Sequence, residues 1–142
     1  MRVWWRRRRR KELSAEQFRQ ILRWAEQAAG ALSHYGSLED CLQQHGIHWQ
    51  ISQSPHIVAG VRMRAQLDLN ARRLTVFAGA LDELQTGQRP RKVLERVILS
   101  HEVFHLLCPE CPGAVHEAAA HWFAALVTGL EEFPGIWDLT PE

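Results

Sequence analysis

Apolar residues recur every three to four positions from Phe18 through Ile21, Leu22, Ala25, Ala28 and Ala29 to Leu32, a single stripe on a helix. Ser14, followed three residues later by Gln17, is a capping-box signature just ahead of that stripe, so the pattern predicts an amphipathic helix over 15–32. Ser37 with Asp40 repeats the cap signal, Leu38, Cys41 and Leu42 form a short apolar face, and Gly46 supplies a stop. A second, short helix is expected there. The period then falls from about 3.6 to 2. Ile47 to Ile51 alternates, Val58 to Leu69 carries Val61, Met63, Ala65, Leu67 and Leu69 on one face, and Leu74 to Phe77 is β-prone, which predicts three strands. The last two are expected to join near Asn70 as a hairpin.

Thr86, Gly87 and Pro90 mark a loop, and helical spacing returns with Val93, Leu94, Val97, Ile98, His101, Phe104 and His105 as far as Leu107. Pro109, Pro112 and Gly113 must break that helix, and a last one is expected over 115–130, ahead of a Pro134-Gly135 tail. The order of elements predicts an α+β fold, helices packed on a small antiparallel sheet. Neither an internal repeat nor a linker interrupts it.

Composition narrows the class. The 142 residues are 46% hydrophobic and 23% charged, as expected of one globular domain with its own apolar core. The best apolar stretch, 118–130, is shorter than a bilayer span requires and contains His121, so no membrane span is expected. The net charge of +1 hides an asymmetry: seven of the seventeen basic residues lie in the first eleven positions, leaving ten against sixteen acidic ones. The reading is a flexible Trp/Arg-rich arm over 1–13 and a single domain over 14–142. Trp4, Trp5 and Arg6 to Arg10 could contact nucleic-acid phosphates and bases or an anionic surface, or form a solvated tail that packs nowhere. No apolar segment follows the arginines, so the arm is no secretory signal and a cytoplasmic location is expected. Three cysteines, Cys41, Cys108 and Cys111, are too few for a disulfide scaffold, which agrees with a reducing compartment.

The stretch "ILSHEVFHLL" carries the chemistry. His101 and His105 are one helical turn apart, so both imidazoles leave the same face and can share one tetrahedral metal. Glu102 is rotated about 100° from His101, which puts it beside such a metal, where it can take a proton from water. The competing interpretation is a pair of hydrogen-bonded core histidines with a surface glutamate between them. That arrangement must satisfy two buried imidazoles without a metal.

A catalytic zinc needs a third protein ligand and an open position. Cys108, Cys111, His116 and Glu117 are in range, with His121 further on. Glu117 is the expected ligand, because E-x-x-A after an H-E-x-x-H helix and a breaker loop is the two-His, one-Glu pattern of gluzincins. His116, adjacent to Glu117, points about 100° away and cannot ligate alongside it from one regular helix. His121, four residues after Glu117, suits a partner that orients a ligand, or is a helix-surface histidine. Cys111 is an alternative third ligand, and Cys108 with Cys111 could join His101 and His105 in a closed Cys2His2 site without catalysis. Two buried thiols in a Pro-constrained turn would look the same.

"HEVFH" followed by "EAAAHWFAALV" resembles the ImmA/IrrE-type zinc metallopeptidases, with Glu117, Ala120, Phe123, Ala124 and Val127 matching the second segment and His121 standing where that family often has Asn. The upstream helix, the strand after a "GI" pair and the hairpin containing "LDLN" extend the resemblance over about residues 37–130. It departs at Ala119, where the family often has a second acid, and in the "CPECP" loop. The resemblance implies a zincin-like fold with an active-site helix followed by a third-ligand helix. It also implies zinc (Zn2+) on His101, His105 and Glu117, Glu102 as general base, and hydrolysis of peptide bonds in a protein substrate. Leu74 to Phe77 would then be the sheet edge offered to an extended substrate. The alternative, from a different class, is a non-catalytic zinc-stabilised or nucleic-acid-binding module.

Overall fold

The Ser14 hydroxyl accepts a bond from Gln17 N–H at 3.0 Å, and the Gln17 side-chain oxygen accepts one from Ser14 N–H at 3.1 Å, so the capping box is closed from both sides. In the computed structural model, which describes residues 13–87 and 89–129, the helix that follows is α1, Ala15–Tyr35. It buries Ile21, Ala25 and Ala28 and runs three residues past the expected end. Gly36 stops it at φ +96°, a conformation glycine adopts without strain. The Arg-rich arm and the tail after Gly129 lie outside the described residues.

Helix α2, Leu38–Gln44, is capped by the Ser37 side chain and ends before Gly46. Five strands follow: β1 His48–Ser52, β2 Ile57–Val58, β3 Val61–Arg62, β4 Ala65–Asp68 and β5 Arg73–Phe77. β4 and β5 form the expected hairpin, antiparallel, with Leu67 opposite Leu74. Its turn is tied by Asp68, which accepts from Ala71 N–H at 3.0 Å.

Three expectations change. The sheet is mixed rather than antiparallel: its order is β1-β5-β4, and β1 runs parallel to β5 with Trp49 opposite Leu74. The tight hairpin gives β4 one side of β5, so β1 must pair on the other. Its direction comes from its entry out of α2, a matter on which alternation of side chains carries no information. β5 is therefore the central strand, and Leu74 to Phe77 is not an edge. Finally, 58–69 is not one strand. Ala59 at φ +51° and Gly60 at φ +77° fold β2 back on β3 as a two-residue ribbon, because a turn of this kind needs positive φ at both central positions.

Phe77 leads directly into α3, Ala78–Leu84, which sequence periodicity had not marked and which buries Ala78, Ala80, Leu81 and Leu84. Helix α4, Arg91–Leu107, starts just after Pro90 and buries Leu94, Val97, Ile98, Leu99, Val103 and Phe104. The loop after Cys108 turns the chain, and α5, Gly113–Thr128, returns across α4 before Gly129 caps it in the left-handed conformation. The core lies where α5 packs against both α1 and α4. Ala118, Ala119, Ala120 and Ala124 are buried on α5, and these small side chains let the helix axes approach. Phe18, on the predicted apolar stripe of α1, is half exposed and sets its ring edge-on to Trp122 of α5. The architecture is α+β, and no helix among the described residues is long and apolar enough to cross a membrane.

Candidate metal centre

The helical repeat brings His101 and His105 of α4 to one face, with ring centroids 5.1 Å apart. α5 crosses this face and delivers Glu117 from the start of its second turn. The Glu117 carboxylate straddles the two imidazoles, Oε2 lying 3.2 Å from His101 Nε2 and Oε1 4.0 Å from His105 Nε2. Nitrogen and oxygen ligands of one tetrahedral zinc stand about 3.3 to 3.6 Å apart, so these separations need only sub-ångström adjustment to admit the ion. Glu102 Oε2 is 4.0 Å from His101 Nε2 and 4.0 Å from His105 Nε2, equally distant from both and on the same helix.

Among the described residues, two overlapping groups could hold a metal ion: His101, Glu102 and His105 along α4, and His101, Glu117 and His121 between α4 and α5. His101 belongs to both. His121 is buried, its Nε2 3.9 Å from Glu117 Oε2 and its ring centroid 4.6 Å from that of His101. It is thus a neighbour of two of the sequence-predicted ligands and not a surface histidine.

Electrostatics favour a cation here. Burial pushes the His105 pKa down to about 4, assisted by His101 and His116 and opposed by Glu117, so its imidazole is neutral at physiological pH and has a lone pair to offer. Burial alone would raise the Glu117 pKa, but a hydrogen bond with His101 and electrostatic interaction with the neighbouring imidazoles of His101, His121 and His105 hold it far below the usual carboxylate range. A neutral imidazole and an ionised carboxylate are the forms that a zinc ion requires.

Cys108 and Cys111 belong to neither group. Both are buried, and burial raises both thiols to about 11, so they are protonated at neutral pH and lie in the apolar core. Their turn is held by its backbone, with Cys111 N–H donating to Cys108 C=O at 3.2 Å. Of the remaining histidines, His45 bonds the Cys41 carbonyl through Nδ1 and His56 stacks on Phe77, and neither belongs to these groups.

His116 has a place that spacing did not disclose. It does point away from Glu117, but it meets His105 from behind, Nε2 lying 2.6 Å from His105 Nδ1. Its own Nδ1 is 3.1 Å from the Cys111 carbonyl. The contact joins residues eleven apart across a proline-broken loop, for which no helical periodicity exists. The only sequence signal was a histidine in the first turn of the third-ligand helix.

Comparison with protein-family models, curated proteins and solved structures finds no match to this chain.

Proposed function

We propose that this centre holds a zinc ion through His101, His105 and Glu117 and that the protein is a metallopeptidase of the ImmA/IrrE type, acting on peptide bonds in a protein substrate. One observation carries the reading: Glu117 of α5 converges on the two α4 imidazoles, while Glu102 faces both from the side. That is the division between ligand and base which the H-E-x-x-H spacing expects. The α+β arrangement is compatible with it.

Zinc so held would lend Lewis acidity to a water molecule and to the scissile carbonyl oxygen. The chain's own groups have separable tasks. His101 and His105 offer imidazole nitrogens from one rigid helix face, and Glu117 adds a negative charge from the crossing helix. Glu102 takes the proton of the attacking water as the new C–O bond forms. It returns that proton to the amine nitrogen as the C–N bond breaks, so that no net proton is consumed. An extended substrate needs an unpaired strand edge. β5 is internal, and β4, the edge strand packed against α4, takes that role by antiparallel or parallel addition. The Trp/Arg-rich arm would add weak contact with nucleic acid or an anionic surface, tested by whether binding of the full chain, and not of a chain lacking residues 1–11, falls steeply with salt.

The test combines metal content with cleavage. Purified protein should contain one zinc per chain, and Glu117→Ala should lose most of it, whereas Cys108→Ala and Cys111→Ala keep it. Zinc-loaded wild type should cleave members of a broad peptide library, and a chelator should stop it. Zinc retained in Glu117→Ala but lost on removing both cysteines, or no cleavage by fully loaded protein, rejects the proposal.

A further inference from the structure

His116 lies between the ring of His105 and the backbone of the loop that separates the two helices. The planes of the His105 and His116 rings differ by 3°, and their centroids are 4.8 Å apart while the nearest nitrogens are 2.6 Å apart. The difference between those distances is nearly two ring radii, the largest value it can take. The nitrogens therefore lie on the line joining the centroids, and the rings share one plane, edge to edge. This is the geometry of an in-plane nitrogen–nitrogen hydrogen bond, and it excludes face-to-face stacking. The buried ring of Phe104 meets His116 nearly perpendicularly, at 77° and 5.2 Å, and restrains its plane.

The direction of the proton follows from the far end of the chain of bonds. A carbonyl oxygen only accepts, so His116 Nδ1 must donate to Cys111 C=O. In a neutral His116 the other nitrogen, Nε2, then has a bare lone pair, and the proton between the rings must come from His105 Nδ1. We infer that His116 is a positioning residue: anchored to the Cys111 carbonyl, it fixes His105 as the Nδ1–H tautomer and presents His105 Nε2, without a proton, to the metal centre. Free histidine favours the opposite tautomer. Cys111 thus contributes to the centre through its backbone oxygen, and its thiol is not needed there. The orientation of a ligand by a hydrogen bond behind it is commonly worth about 10- to 100-fold in metal affinity.

The inference deepens the metallopeptidase reading, since it takes His105 as a ligand, but the tautomer itself can be observed without metal. In chelator-treated wild type, long-range 1H–15N correlation of the histidine rings should show His105 protonated at Nδ1 and bare at Nε2. Competition with a chromophoric chelator should then give a zinc affinity for His116→Phe about 10- to 100-fold below wild type. His116→Gln should recover most of it, because an amide can accept from His105 and donate to the carbonyl, whereas a ring without nitrogen can do neither. A His105 protonated at Nε2 in the metal-free wild type, or a His116→Phe that binds zinc as tightly as wild type, overturns the inference. Wild type that takes up no zinc yet shows the Nδ1–H tautomer overturns the metal reading and supports the relay.

Discussion

The α4–α5 pair and the strand layer beside it treat polar groups in opposite ways. Between the helices, His121 is buried and His101, Glu102, His105 and His116 are partly buried among Val103, Phe104, Ala119, Ala120 and Phe123, and imidazole and carboxylate groups are set against one another. In the strands, β4 alternates half-buried with exposed positions, and Ile57 of β2 is 59% exposed. There, polar groups have water available and need no mutual arrangement. The contrast teaches where chemistry can be held: low dielectric and close packing make charges interact strongly between the helices, and the same features make any change there expensive. The strand layer supplies a surface and an edge, and tolerates change.

The largest expected effect that sharpens this contrast is catalytic. Glu102→Gln should lower peptide hydrolysis by about 10² to 10⁴ while zinc content and fold are kept, since it removes a proton acceptor and no metal ligand. Cleavage rates beside metal analysis of the same preparation check this, and an undiminished rate would remove Glu102 from the mechanism.

Next comes stability. Phe104 is fully buried on α4 and contacts Phe123 and His116, so Phe104→Ala should destabilise by about 3 to 5 kcal/mol. Ile57→Ala on the ribbon should change stability by no more than about 0.5 kcal/mol. Urea unfolding measures both, and similar losses would break the comparison.

A smaller effect is pH-dependent. The folded pKa of His105, about 4, lies below the value of about 6.5 expected in the unfolded chain, so the folded state binds fewer protons between them. The stability this site contributes is complete above pH 6.5 and is lost as the pH falls toward 4. In chelator-treated protein the decline should reach at most about 3 kcal/mol from this group, and it should be flatter in His105→Asn. A wild-type profile no steeper than that of the variant would mean that His105 is not held neutral.

The smallest is on the strand side. Arg62 of β3 pairs with Glu83 of α3 at 2.6 Å, but both side chains are substantially exposed. Arg62→Ala should therefore cost less than about 1 kcal/mol, and the cost should shrink in high salt.

Local signals were legible where a residue acts on its own neighbours. Ser14 and Ser37 announce their helices because a cap bond spans only three residues, and the hairpin near Asn70 follows from a short polar interval between two alternating runs. The ribbon turn is missed when the period-2 run from Val61 to Leu69 is extended back to Val58, although Val58, three positions before Val61, falls on the opposite face; that change of parity at Ala59 and Gly60, both at positive φ, is the mark of the turn. Helix α3 was hidden because seven residues are too few for a clear period, although Leu81 and Leu84 have the spacing.

The chain's own order of residues determined the faces: which stripe of α1 turns inward, that His101 and His105 leave α4 together, and that the helix must stop at the proline-containing loop. These depend on a fixed helical pitch and on a ring that cannot continue a helix, and both act over a few residues. Only the tertiary structure decided that β5 lies in the middle of the sheet, that Glu117 reaches both imidazoles, and that His116 stands behind His105. Those outcomes depend on the angle and depth at which α5 crosses α4. Packing of Ala118, Ala119, Ala120 and Phe104 sets both, and no periodicity along either helix encodes them.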